Sequence, residues 1–214
     1  MNADRAREAA AFLLSAWSEE RLVDQIPESC RPTSREDGYA IQREVARLSG
    51  QSTVGWKIAA TSIAGQKHLK VDGPLAGRLL SNRVHRNGAE VRFGRNAMRV
   101  AEAEFSFRFE RRLPLQDKPY TSAEVLESVG TLHPAIEIPD SRYVDFCAVG
   151  PAQLIADMAC AHHFVLGDAA DADWRSVDLS KHVVRAQHND DAPCEGSGGN
   201  VLGDPRIALA WLAN

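Results

Sequence analysis

Glu102 and Glu104 stand two residues apart in the run Ala101-Glu102-Ala103-Glu104-Phe105-Ser106-Phe107-Arg108-Phe109. In an extended strand, positions i and i+2 share a face. Two carboxylates therefore project side by side from a strand whose other face (Ala101, Ala103, Phe105, Phe107, Phe109) is apolar. Anions held this close repel each other unless a cation or a proton stands between them. Alone, the pair would better suit the solvated face of an edge strand, with Arg108 and Arg111 as counter-charges. A third acid, Glu137, lies between Ile136 and Ile138 in a second apolar stretch. Glutamate is a poor strand former and is rarely buried unpaired. If the two strands are neighbours, three carboxylates converge. A donor set of oxygens without His or Cys suits a hard cation, Mg²⁺ or Mn²⁺, rather than zinc. Water or substrate oxygens would complete its shell.

Lys57 interrupts the apolar run Val54-Gly55-Trp56-Lys57-Ile58-Ala59-Ala60. A lysine buried there must be paired or have its pKa depressed. On a half-exposed strand it would simply face outward. Beside three carboxylates and a metal it could move protons or hold negative charge. Asp140-Ser141-Arg142 follows Glu137 closely and could steady the third ligand, meet a substrate carboxylate, or form a local turn salt bridge. His162-His163 are adjacent on an expected helix and share no face, so they are not read as a metal pair. Gly196-Ser197-Gly198-Gly199 lacks both GxGxxG and the P-loop lysine and reads as a connection. Cys160 reads as a small core residue.

The elements that must position these groups can be read from period and punctuation. Residues 3–17 carry Ala10, Leu13, Leu14 and Trp17 on one helical stripe. Thr33 and Glu36 suggest a capping box opening a second helix that ends near Gly50. Thr53–Ala60 reads as a strand, and Ser62 caps a short helix through Leu69. Asn87-Gly88 between 79–85 and 89–93 signals a hairpin. Residues 99–109 alternate strictly and form the clearest strand. Thr121 and Glu124 form a capping box before a helix over 121–129, and 133–138 is a strand. Gly150-Pro151 opens a helix expected to reach about Phe164. A strand over 182–187, a glycine-rich loop over 195–203 and a helix from Asp204-Pro205 complete the chain. That last helix shows no glycine stop, so its apolar residues Leu209, Trp211 and Leu212 are expected to need cover, from a neighbouring subunit or from further chain. The expected division is a helical appendage over 1–50 and a metal-binding domain over 51–214.

Composition sets the class. The 214 residues carry 25 Lys+Arg against 29 Asp+Glu, a net charge of −4, with 44% hydrophobic residues. Such a chain buries roughly 70% of its unfolded surface and needs no staples. Mild acidity argues against a nucleic-acid binder. No apolar stretch approaches the ~18 residues of a membrane span, and the N-terminus has no signal-peptide apolar region. Four cysteines without a CxxC pair fit a reducing cytoplasm.

Taken together, Gly55-Trp56-Lys57-Ile58-Ala59-Ala60-Thr61-Ser62, Val71-Asp72-Gly73-Pro74, Ala101-Glu102-Ala103-Glu104 and Pro134-Ala135-Ile136-Glu137-Ile138-Pro139-Asp140-Ser141-Arg142 resemble the 2-keto-4-pentenoate hydratase and 4-oxalocrotonate decarboxylase group of the fumarylacetoacetate hydrolase superfamily. Ile155-Ala156-Asp157, Phe164-Val165-Leu166-Gly167 and Ala210-Trp211-Leu212-Ala213-Asn214 match it as well. The resemblance implies an α+β fold, a mixed β-roll with peripheral helices that here lacks its last strands. It implies a divalent metal, Mg²⁺ or Mn²⁺, on Glu102, Glu104 and Glu137, and a working lysine at Lys57. It implies a cytoplasmic homo-oligomer that hydrates 2-hydroxy-dienoic or 2-oxo-enoic acids in aromatic catabolism, with no nucleic-acid or membrane partner. The alternatives are a decarboxylase of 4-oxalocrotonate-type acids and a non-catalytic member. Two positions depart from the group: Leu75 where hydratases often carry an acid, and Met158-Ala159-Cys160 in place of Asn-Ala-Ser.

Overall fold

A computed structural model describes residues 1–214. The architecture mixes helices with three separate sheets. Two compact units form, Met1–Glu102 with Glu137–Val165, and Ala103–Ile136 with Leu166–Asn214. Residues 1–50 belong to the first.

In the first unit, helix α1 (Ala3–Ser18) starts at Asn2, whose side chain accepts from the Arg5 N–H, and buries Ala6, Ala9, Ala10, Leu13 and Ala16. Helix α2 (Arg35–Leu48) is capped by Ser34, which accepts from the Asp37 N–H, rather than by Thr33. Thr33 instead donates from both its N–H and its hydroxyl to Asp37. Strand β1 (Thr53–Ala59), the short helix α3 (Ile63–Leu69) and strand β2 (Leu75–Leu80) follow. β1 and β2 pair antiparallel, with Lys57 opposite Gly77. Buried Gln42 of α2 donates to the Ala76 and Ile155 carbonyls and so fixes α2 to β2.

Asn87-Gly88 does make a turn, but only its first arm is a strand, β3 (Val84–Arg86). The second arm of the expected hairpin, 89–93, forms no strand. Strand β4 (Glu102–Phe109) is the alternating run. Helix α4 (Ser122–Leu126) carries the expected capping box of Thr121 and Glu124. Strand β5 (Val129–Ile138) follows.

Helix α5 (Pro151–Ala156) stops well short of Phe164. Met158, Ala159 and Cys160 all have positive φ, 56°, 50° and 64°. Non-glycine residues pay about 1–2 kcal/mol each for this conformation. The chain turns here and enters strand β6 (His163–Leu166), so His162-His163 are not helical. The four-stranded sheet runs in the order β3-β6-β5-β4, which makes β4 and β5 neighbours.

In the second unit, Phe105 and Phe107 of β4 pack on a core of Val125, Val129, Leu132, Trp174, Leu179, Leu209 and Ala210. Strand β7 (Val183–Ala186) pairs antiparallel with β8 (Cys194–Ser197), so the glycine-rich stretch opens as a strand rather than a loop. Helix α6 (Pro205–Ala213) is N-capped by Asp204 as expected. The C-cap residue of this helix is tied to Tyr120. The Asn214 side chain accepts from the Tyr120 N–H at 2.7 Å and donates to the Tyr120 and Ala210 carbonyls at 3.1 and 2.9 Å. Its Leu209 is 7% exposed, while Trp211 and Leu212 are half-buried.

Candidate metal centre

Neighbouring strands bring the three acids together. Carboxylate oxygens of Glu102, Glu104 and Glu137 all lie within 4.8 Å of one another. Glu102 is exposed, Glu104 half-buried and Glu137 buried. Alternation along β4 puts the first two on one face, and Glu137 comes from the adjacent β5.

Lys57 reaches the same place. Its Nζ lies 3.1 Å from Glu137 Oε2, and the two side chains are 6% and 1% exposed. The same ammonium donates to the Ala159 carbonyl at 3.2 Å. Gly77 makes this possible. A Cβ at Gly77 would lie 2.0 Å from the Met158 carbonyl oxygen and 3.2 Å from the Lys57 side chain. The left-handed turn can thus press its backbone onto β2 directly opposite the lysine.

Burial pushes the Glu137 carboxyl up to about 7; Lys57 opposes this and Glu102 adds to it. The second oxygen of Glu137, Oε1, is buried and has no hydrogen-bond partner. A buried carboxylate oxygen left bare costs about 1–3 kcal/mol or more. Here it belongs to a cluster of three acids with only oxygen donors, the set that suits a hard divalent cation. These residues could hold such an ion.

Asp140-Ser141-Arg142 is buried and serves structure. Arg142 pairs with Asp140. The Ser141 hydroxyl and the Arg142 N–H donate to Asp157 at 2.9 and 2.8 Å. Trp17 Nε1 donates to the other Asp157 oxygen at 2.8 Å. Burial nevertheless raises the Asp157 carboxyl to about 6. Leu75 lies in an apolar cluster with Leu154, Ile155, Ala159 and Cys160, so no charged group occupies that position.

Two features escaped the sequence. One is a basic cluster in which His85 Nε2 and His163 Nδ1 lie 2.8 Å apart and Arg83 approaches His163 at 3.3 Å. Burial, aided by Arg83, depresses His162 to about 3 and His163 to about 4. The other is a cavity of about 440 Å³ in the second unit, lined by Glu104 and otherwise mainly by apolar side chains. No local spacing signals either one. Both depend on residues far apart in the chain.

Comparison with known proteins gives the class. No family model matches the chain. It is 33% identical over 185 residues to a 2-hydroxypent-2,4-dienoate hydratase of Pseudomonas putida, covering 85% of this chain and 82% of that one. It is 32% identical over 205 residues to a 2-hydroxyhexa-2,4-dienoate hydratase of Comamonas testosteroni, covering 94% and 75%. A 2-keto-4-pentenoate hydratase of Burkholderia vietnamiensis is 30% identical over 208 residues, covering 96% and 78%. Among solved structures, a 4-oxalocrotonate decarboxylase of Pseudomonas putida G7, complexed with magnesium and adipate, superposes with a TM-score of 0.82 at 24% identity. The match covers all of this chain and 81% of that one. The class is a lyase fold whose solved neighbour carries a divalent metal. The chain belongs to the 2-keto-4-pentenoate hydratase family, enzymes that add water.

Proposed function

We propose that the chain is a divalent-metal-dependent hydratase of 2-hydroxy-dienoic acids, with Glu102, Glu104 and Glu137 as metal ligands and Lys57 as the proton-handling group. The observation that carries this reading is the bare Oε1 of buried Glu137 beside two further carboxylates. Mg²⁺ or Mn²⁺, when bound, would supply Lewis-acid polarisation of the substrate's 2-oxygen. Lys57 would deliver a proton to, or hold negative charge at, the developing enolate. Glu137 and the Ala159 carbonyl grip its ammonium from two sides, so its Nζ needs no reorganisation during the reaction. The left-handed turn is the backbone support of that grip. We also propose that the sheets belong to a β-roll of the superfamily type and that the protein is a cytoplasmic homo-oligomer.

The test is steady-state turnover of 2-hydroxypenta-2,4-dienoate with Mg²⁺. Wild type should be active, EDTA should abolish activity, and Glu102→Ala and Glu137→Ala should not recover it on metal readdition. Full activity in either variant would remove the three-carboxylate site. Carbon dioxide release from 4-oxalocrotonate in place of hydration would assign the decarboxylase reaction. Inactivity of the folded, metal-loaded chain on both substrates would mark a non-catalytic member.

A further inference from the structure

A cavity of about 310 Å³ lies within the first unit, and neither Lys57 nor any of the three clustered glutamates lines it. Leu14 and Trp17 of α1, Leu48 of α2 and Leu80 of β2 supply its apolar wall. Arg83 is the one charged residue on that wall; no aspartate or glutamate lines it. Arg83 is half-buried. Its one hydrogen-bond contact is His163 Nε2, at 3.3 Å. Burial pulls its pKa down, Arg142 adds to this, and Glu20 opposes it. Glu20 pairs with Arg95 instead, at 3.9 Å. The cation is thus partly stripped of water and given no carboxylate in return.

The other polar groups of the wall sort by what they already hold. The Ser18 and Ser49 hydroxyls donate to the Leu14 and Ala46 carbonyls at 2.9 and 2.7 Å. Trp17 Nε1 donates to Asp157. Gln51 Oε1 accepts from the Ser81 hydroxyl at 3.0 Å, which leaves the amide N–H groups of Gln51 uncommitted. What remains is a cation, spare donors and an apolar wall, the chemistry that recognises a small anion with an apolar body. A guanidinium meets both oxygens of a carboxylate with its planar fork; a phosphate dianion would call for a second cation. At about 30 Å³ per water-sized group, a volume of about 310 Å³ holds roughly ten non-hydrogen atoms.

We propose that this cavity is a second ligand site, apart from the carboxylate cluster, for a small monocarboxylic acid. Its carboxylate pairs with Arg83, and its hydrocarbon lies against Leu14, Trp17, Leu48 and Leu80. Because α1, α2 and β2 all contribute to the wall, the bound acid ties the two helices to the strand.

Calorimetric titration of the full chain in Mg²⁺ with hexanoate tests this. Hexanoate fits the volume and lacks the 2-oxo group that would help it chelate a metal. It should bind saturably. Hexan-1-ol, the same chain without charge, and inorganic phosphate should each bind about tenfold more weakly. Arg83→Gln should weaken hexanoate by about tenfold. Asn82→Asp, at an exposed wall position, sets a competing carboxylate beside Arg83 and should weaken it too, with circular dichroism unchanged. At neutral pH, hexanoate should shift the ring resonances of His163, which contacts Arg83, and leave those of exposed His188 in place. Equal affinity for hexanoate and hexan-1-ol, phosphate bound as tightly as hexanoate, or a fixed His163 resonance overturns the site. So does unchanged affinity in Arg83→Gln, or in Asn82→Asp if Arg83→Gln does not fold. Absence of saturable hexanoate binding also overturns it and leaves the metal-site reading standing.

Discussion

At the scale of single residues, the site depends on one buried ion pair. Glu137 has its pKa raised by burial and is held by Lys57, so neither partner tolerates loss of the other. Lys57→Met should lower turnover by about 10²–10⁴-fold. It should also destabilise the fold by about 3 kcal/mol, because an unpaired buried carboxylate remains. Turnover assays and urea titrations measure the two effects separately. His162 makes a second prediction. The unfolded chain protonates this ring below its ordinary value of 6.5, whereas the folded chain keeps it neutral down to about 3. Stability contributed by the neutral ring is therefore lost as pH falls through that window, by about 2 kcal/mol at pH 5. Urea midpoints at pH 7 and pH 5 should shift less in His162→Gln than in wild type; an equal shift would place the acid sensitivity elsewhere. The carboxylates and Lys57 were legible because each broke a pattern: acids on an alternating strand, a charge in an apolar run. His162 and Asp157 were not, because their surroundings come from Arg83, Trp17 and other distant parts of the chain.

At the scale of elements, the left-handed turn decides more than its length suggests. It ends α5, starts β6 and places the carbonyl that holds Lys57. Gly77→Ala would set a methyl group 2.0 Å from the Met158 carbonyl oxygen, a backbone atom that cannot swing aside. The expected cost is about 3 kcal/mol, with loss of activity beyond what stability alone explains, since Lys57 lies opposite. Thermal melts and turnover on the same sample separate the two. Normal turnover in a folded Gly77→Ala protein would contradict this positioning role. Period and caps predicted β4, α1, α4 and the start of α6 well, because each carries its own local signal. The expected run of α5 to Phe164 failed because no glycine marks Met158–Cys160. Tertiary packing imposes that conformation on residues that do not ask for it.

At the scale of the whole molecule, the site joins residues from positions 57 to 137 and should couple folding to the metal. Mg²⁺ at a hundredfold excess over its Kd adds about 2.7 kcal/mol of stability. For a chain of this length that corresponds to a rise in Tm of roughly 5–10 °C. EDTA should reverse the rise, and Glu104→Gln should greatly reduce it. An unchanged Tm in saturating Mg²⁺ would argue against the cluster as a metal centre. The compact units were not legible in sequence, because their boundaries fall inside strands β4, β5 and β6 rather than in linkers. No composition shift marks such a boundary, whereas Pro- or Gly-rich connections would have.

Lys57 is anchored at Ala159 by a main-chain carbonyl, an atom every amino acid possesses. Positions 158–160 can therefore drift in identity over evolutionary time while the lysine's anchor persists, provided the backbone keeps its turn. The substitutions that would displace it are those at Gly77, a residue without a side chain, where any Cβ would meet the Met158 carbonyl.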